Sequence, residues 1–239
     1  WNCIQRRNFA LLKAYEMGAD VVAVVDDDNI PYDFWGKDLS IGKPTEVNFY
    51  TTDAPAFDPV GATNHRSLWH RGFPLQLIPE RDYSQVMRKE MVPDVQADFW
   101  NGDPDVDAVC RMEHRPQCTF DDACFPFATG TLSPFNSQNT FISAKWLKDY
   151  FLFPHIGRMD DIWAAYYIEA KGAQVMYQRP SVFQLRNEHD PVKDMKMEYH
   201  GYENNLSLVK VLKQDPEAIR NFLPAQSVEA FERYRLHFR

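Results

Sequence analysis

A chain of 239 residues with 44% hydrophobic and 25% charged residues has an ordinary globular composition and can bury roughly 70% of its unfolded surface around one core. The net charge of -8 offers no basic patch to neutralise a run of phosphates, which argues against a nucleic-acid partner. No apolar run approaches the ~20 residues of a membrane span, and Cys3, Cys110, Cys118 and Cys124 contain no C-x-x-C pair, which argues against a structural zinc site.

Positions 1 to 17 read as a helix, with Phe9, Leu12 and Tyr15 on one face and Gly18 placed to end it in a left-handed conformation. Arg6 and Arg7 on this helix can reach a diphosphate held by the following loop, or lie on a solvated face. Val21-Val22-Ala23-Val24-Val25 reads as a strand buried on both faces, because a half-exposed strand would alternate polar and apolar positions. It ends in Asp26-Asp27-Asp28-Asn29, beyond the carboxyl end of a strand, where ligands collect in open α/β sheets. Adjacent carboxylates repel one another. A divalent cation that prefers oxygen ligands, Mn²⁺ or Mg²⁺, relieves that repulsion and keeps positions open for phosphate oxygens. Alternation puts Asp26 and Asp28 on one side as the metal pair, with Asp27 directed elsewhere; an acidic solvated turn is the alternative.

Positions 30 to 79 are irregular, with only 46 to 51 strand-like, and such a long insertion is usually a functional loop region. Trp69, His70, Arg71 and Gly72-Phe73-Pro74-Leu75 within it suit a sugar and its phosphates, or an aromatic loop packed on the core. Positions 95 to 100 read as a strand and Asn101-Gly102 as a turn. Asp103, Asp105 and Asp107 then alternate with apolar residues, which points to sugar hydroxyls or a second ion, or to a helix N-terminus capped by Asp103. Ser137, Gln138 and Asn139 offer neutral donors and acceptors, and 143 to 151 reads as a helix with Trp146, Leu147 and Tyr150 inward.

Asp160-Asp161 open a helix from Ile162 to Lys171 that Gly172 ends, and both acids can be explained as cap and first-turn residues. Positions 174 to 179 form another strand, followed by a loop containing Arg186 and His189, the latter a candidate metal or phosphate ligand or a surface histidine. Lys193, Lys196 and His200 follow in a mixed-charge stretch, and 204 to 239 form a C-terminal helical support with turns at Asp215-Pro216 and Leu223-Pro224. No linker or repeat divides the chain, so 1 to 239 is expected to be a single domain.

The Asp26 triplet, preceded by Arg7-Asn8, an amphipathic helix and an apolar strand, resembles the D-x-D region of nucleotide-sugar glycosyltransferases of the GT-A fold. Arg71-Gly72-Phe73-Pro74-Leu75, the segment Asn101 to Val109 and Asn136-Ser137-Gln138-Asn139-Thr140 are similar to segments of the plant STELLO-type Golgi glycosyltransferases. Gly157-Arg158-Met159-Asp160-Asp161-Ile162-Trp163-Ala164 and the Asp26 triplet are closer to the reversibly glycosylated polypeptides, the UDP-arabinopyranose mutases. The likeness spans 6 to 202. It implies an α/β, Rossmann-like GT-A domain with a mixed sheet flanked by helices, lacking the N-terminal strands that bind the base.

It further implies transfer of a sugar from a nucleotide-diphosphate donor to a glycan or other hydroxyl acceptor. Asp26, Asp28 and His189 would hold Mn²⁺ or Mg²⁺. Asp161 by preference, with Asp160, would act as base, and Arg7, Arg71, Asp103, Asp105, Asn139 and Arg158 would bind substrate. Two other functions compete: a nucleotide-sugar mutase glycosylated on Arg158, and a non-catalytic scaffold of the same fold. The sequon Asn205-Leu206-Ser207 and a possible Cys118–Cys124 disulfide leave the compartment open between Golgi lumen and cytosol.

Overall fold

The computed structural model describes residues 3 to 187 and 190 to 238. In chain order its elements are α1 (Gln5–Glu16), β1 (Val21–Val25), β2 (Asn29–Pro31), β3 (Thr45–Tyr50), β4 (Val86–Met91), β5 (Val95–Gly102), α2 (Ala108–His114), β6 (Phe127–Thr129), β7 (Asn139–Ser143), α3 (Asp160–Ala170), β8 (Val175–Gln184), α4 (Pro191–Leu212) and α5 (Ala225–Arg235). The strands form one mixed, open sheet in the order β1-β7-β5-β8-β6-β3-β4, with β2 paired to β8. Helices flank it, as expected of an α/β chain.

The pairing register places the candidate site. β7 runs antiparallel to both β1 and β5, with Val25 opposite Asn139 and Ala97 opposite Thr140. β5 and β8 are parallel, from Val95 opposite Val175 to Gly102 opposite Gln184. Strands β1, β5 and β8 therefore point the same way. Their carboxyl ends and the amino end of β7 meet at one edge of the sheet, the edge where ligands gather in open α/β folds.

Several expectations change. The apolar run of β1 is not buried on both faces: β1 is an edge strand with β7 as its pairing partner, and Val25 is 43% exposed. The last strand runs on through Pro180 to Gln184, because a register shift between Asp98 and Trp100 of β5 accommodates the proline. The helix expected over 143 to 151 shrinks to a 3₁₀ turn, Ala144–Trp146, although Leu147 and Tyr150 are buried as foreseen. The C-terminal support begins earlier, at Pro191, where Asp190 caps α4 by accepting from the Val192 N–H at 3.0 Å. Asp107 rather than Asp103 caps α2, accepting from the Cys110 N–H at 2.9 Å.

The main core lies on one sheet face, where Val95, Ala97 and Phe99 of β5 meet α3, whose residues from Asp161 to Ile168 are all buried. A smaller cluster of Val47, Phe49, Met91, Ala128 and Met176 lies on the other face. Asn205 is buried on α4, accepting from the Trp163 Nε1–H at 2.8 Å and donating to the Gly72 carbonyl at 2.9 Å, so the sequon is closed to glycosylation in the folded chain. All four cysteines are free thiols, with no Cys118–Cys124 bridge. No described helix is long and apolar enough to cross a membrane.

The acid pair at the start of α3 depends on a close approach to α4. Gly157 has φ +64°, and a Cβ there would lie 1.9 Å from the Met197 carbonyl oxygen. Gly157→Ala is expected to cost about 2 kcal/mol or more through backbone strain and that clash. An unchanged midpoint in urea unfolding would show that the approach is not required.

Candidate active site at the carboxyl edge of the sheet

Short backbone contacts fix the acidic loop after β1. The Asp26 N–H donates to the Gln138 carbonyl at 2.9 Å, and the Leu185 N–H donates to the Asp28 carbonyl at 3.0 Å. The Asn29 amide also donates to the Gln138 carbonyl, at 2.8 Å. The loop is thus tied to the turn before β7 and to the end of β8. Asp26 and Asp28 are half-buried while Asp27 is exposed, the alternation expected of an extended segment.

Asp26 already has a cation beside it, the Arg7 guanidinium from α1. Burial pushes the Asp26 carboxyl above its ordinary value, and the Arg7 charge and hydrogen bond oppose that shift. One Asp28 oxygen, Oδ1, is buried without a hydrogen-bond partner. Among the described residues, no group of three His, Cys, Asp or Glu side chains is arranged to hold an ion, and His189 lies outside the described residues. The pair Asp26 and Asp28 still fits Mg²⁺ or Mn²⁺, which usually take one or two protein carboxylates and fill the remaining positions with phosphate oxygens and water. The unpartnered Asp28 oxygen is the observation in favour.

Arg71 is the centre of the site. Its Nε–H donates to Asp105 Oδ1 at 2.9 Å and its Nη2 to Asp105 Oδ2 at 2.8 Å. Nη1 reaches Asp161 Oδ1 at 3.0 Å and also the Arg158 carbonyl, while Nη2 reaches Asp161 Oδ2 at 3.2 Å. Every N–H of the guanidinium is used. With the side chain 8% exposed, Arg71 has no donor left for a substrate phosphate, so the expected substrate contact becomes a buried clamp.

Asp161 is equally committed. Besides Arg71 it accepts from the Ser137 N–H at 2.8 Å and the Ser137 hydroxyl at 3.1 Å. Burial alone would raise its carboxyl, but the Arg71 charge and hydrogen bonds outweigh that and hold it below the usual range. An ionised carboxylate with four donors is a weak base, so the preference for Asp161 over Asp160 reverses. Asp160 is half-buried and accepts from the Asp161 N–H at 2.8 Å. Burial, and then the neighbouring Asp161 charge, push Asp160 up to about 7, the range a general base needs.

Ser137 joins the acidic loop to the acid pair. Arg7 Nη1 donates to the Ser137 Oγ at 2.5 Å, and that hydroxyl donates to Asp161. The remaining candidates form the far wall. Asp105 accepts from the Asn136 amide at 2.9 Å in addition to Arg71; burial would raise its carboxyl, but the charge and hydrogen bonds of Arg71, with the Arg186 charge, hold it well below the usual carboxylate range. Asp103 pairs with Arg111 and lies 3.3 Å from Arg186 Nε. Arg158 bonds Glu198 at 2.9 Å and lies 3.8 Å from Asp105 and 3.7 Å from Asp194.

Asn139 donates to the Phe99 carbonyl at 3.0 Å and to Ser181 Oγ at 2.9 Å and accepts from Trp35 at 2.9 Å, so it braces the sheet and does not face a ligand. Trp69, His70 and Phe73 are buried, the core-packing alternative for their loop. Arg186 and Glu198 join the cluster without having been singled out as ligands; Arg186 is brought in by β8 and Glu198 by α4, and nothing local in the sequence marks either. The sequence matches no known protein-family model and no curated relative.

Arg71→Leu would leave Asp161 buried without its cation and Asp105 with only the more distant Arg186 and Arg158, with an expected cost of about 3–5 kcal/mol. The sign of the pH dependence follows from the depressed values of Asp105 and Asp161. Their stabilisation is present above the unfolded aspartate value of about 3.9 and is lost as pH falls through their lower folded values. In Arg71→Leu the cation that holds both values down is gone and burial raises them, so this loss towards acid pH should shrink and the variant should recover stability as its carboxyls protonate. Urea unfolding from pH 3 to 8 reads both effects, and a variant with wild-type stability and acid limb would remove the clamp.

Proposed function

We propose that this chain is a metal-dependent glycosyltransferase domain of GT-A type, moving a sugar from a nucleotide-diphosphate donor to a hydroxyl acceptor. The observation that carries this reading is the meeting of Asp26 and Asp28, the latter with its unpartnered oxygen, and the Asp160–Asp161 pair at one edge of a mixed sheet. Asp26 and Asp161 are near enough that the charge of one raises the carboxyl of the other. Loop and acid pair therefore belong to one site.

The residues divide the work. Asp26 and Asp28 would hold Mn²⁺ or Mg²⁺, which would supply positive charge for the leaving diphosphate. Arg7 lies beside the same loop and can turn from Asp26 towards a phosphate when a cation takes its place. Asp160 accepts the proton of the acceptor hydroxyl. Asp161, pinned by Arg71 and Ser137, keeps Asp160 in place and keeps its affinity for a proton high.

Two specific observations bear on the competing functions. Arg158, the position at issue for a mutase, is surrounded by Asp105, Asp194 and Glu198, which hold its guanidinium as a cation and suppress nucleophilic attack. The Arg7–Asp26 pair favours the scaffold instead, since it already neutralises one metal carboxylate.

Thermal shift and donor hydrolysis across a panel of nucleotide sugars with Mn²⁺ test the reading. Metal-dependent stabilisation by at least one donor is expected, and Asp28→Asn should abolish it. Asp160→Asn should lower turnover by about 10²–10⁴-fold, and the wild-type rate should rise as pH passes through about 7. A chain that binds neither metal nor donor is the scaffold. Mass spectrometry of the Arg158 peptide after incubation with labelled UDP-sugar should show no adduct; a stoichiometric adduct lost in Arg158→Lys identifies the mutase.

A further inference from the structure

A second polar site lies away from the acid pair, on the sheet face opposite the main core. Alternation along β5 sends Val95, Ala97 and Phe99 into the core and turns Gln96 and Asp98 to the other face. Gln178 of β8 stands opposite Asp98 in the register. Together with Phe34, Asp38 and Arg179 they line a cavity of about 200 Å³. That is smaller than the roughly 300–1,000 Å³ of drug-sized ligand sites and suits a single ring.

Asp98 is an unusual residue for the middle of a strand. It is 5% exposed, and its described donors are neutral: the Gln96 amide at 2.8 Å and the Ser181 hydroxyl. Burial pushes it up to about 6. Its nearest cation, Arg179, is turned to Asp122 at 3.5 Å and Asp38 at 3.8 Å and lies over the Phe34 ring at 4.2 Å. Burying a carboxyl without an ion partner costs stability that an apolar side chain would not. The carboxylate also has acceptor capacity beyond its two donors.

The chemistry of the wall selects the ligand. Gln178 accepts the Arg179 N–H through Oε1 at 2.9 Å, which leaves its amide nitrogen as a donor, and one oxygen lone pair as an acceptor, for the cavity. An ammonium ligand would call for acceptors alone and a phosphate for donors alone. A hydroxyl both donates and accepts, and here a carboxylate acceptor and an amide donor stand on paired strand positions beside an aromatic ring. We infer that the cavity formed by Gln96, Asp98, Gln178, Arg179 and Phe34 binds a neutral, hydroxyl-rich ligand of one ring, such as a monosaccharide. It is independent of the transfer chemistry, because Asp98 lies four residues, about 13 Å of strand, before Gly102 at the reactive edge.

The test is ligand-observed NMR and calorimetric titration of the whole chain with glucose, galactose, mannose, xylose, arabinose and myo-inositol, without nucleotide or metal. Saturable binding of at least one of these is expected. Asp98→Asn, which keeps the shape and removes a buried charge, should weaken it by about tenfold or more, and Gln178→Leu should weaken it as well. Asp28→Asn should leave it unchanged, which separates the cavity from the reactive edge. Circular dichroism confirms that each variant is folded. Absence of saturation by every neutral polyol, affinity that survives both cavity substitutions, or binding of putrescine or inorganic phosphate in their place would each overturn the inference.

Discussion

The candidate site depends on one buried guanidinium. Arg71 comes from the long irregular segment between β3 and β4, Asp105 from the chain after β5, and Asp161 from the first turn of α3. Backbone contacts reinforce the junction, since the Arg71 N–H donates to the Asp105 carbonyl at 3.1 Å. A buried ion cluster is a poor source of net stability, because removing charges from water costs about as much as their attraction returns. Its value here lies in position: the forked geometry of arginine fixes two carboxylates at once, and a lysine could not.

That cluster also separates the behaviour of two adjacent acids. Arg71 and Ser137 keep Asp161 ionised, and the charge so maintained sits beside Asp160, which burial already disfavours as an anion. Neighbouring carboxyls with opposed shifts are the usual sign of divided roles, one holding charge and the other exchanging a proton. Neither acid is the N-cap of α3, a position that Met159 holds without a side-chain hydrogen bond; both lie in the first turn, where Asp160 accepts the Asp161 N–H.

Local pattern made some of this legible. The apolar run of β1, the acidic loop beyond it, α3 with its two opening acids and its closing Gly172 all follow from short-range chemistry. Long-range pairing was not legible. That β1 is an edge strand depends on which strand lies beside β7, and no residue in Val21–Val25 encodes it. The saturation of Arg71 and Asn139 likewise depends on partners tens of residues away, and a guanidinium or amide suited to a ligand is equally suited to a carboxylate or carbonyl of its own chain. The start of α4 was nearer to hand: Asp190-Pro191 is a cap followed by a first-turn proline, obscured by the mixed charges after it.

The acidic loop is neutralised from within the chain by the Arg7–Asp26 pair. In this structure the charge of Asp26 is met by a side chain from α1, and Arg7 also holds Ser137, which in turn holds Asp161. A divalent cation at Asp26 and Asp28 would compete with Arg7 for the same carboxylate, at a Coulombic advantage of two charges to one. A displaced guanidinium would remain next to the cation and would find its natural partner in the phosphate that the cation brings. Metal and nucleotide binding would then be coupled through Arg7, each making the other more favourable, and the coupling would reach the acid pair through the single hydroxyl of Ser137.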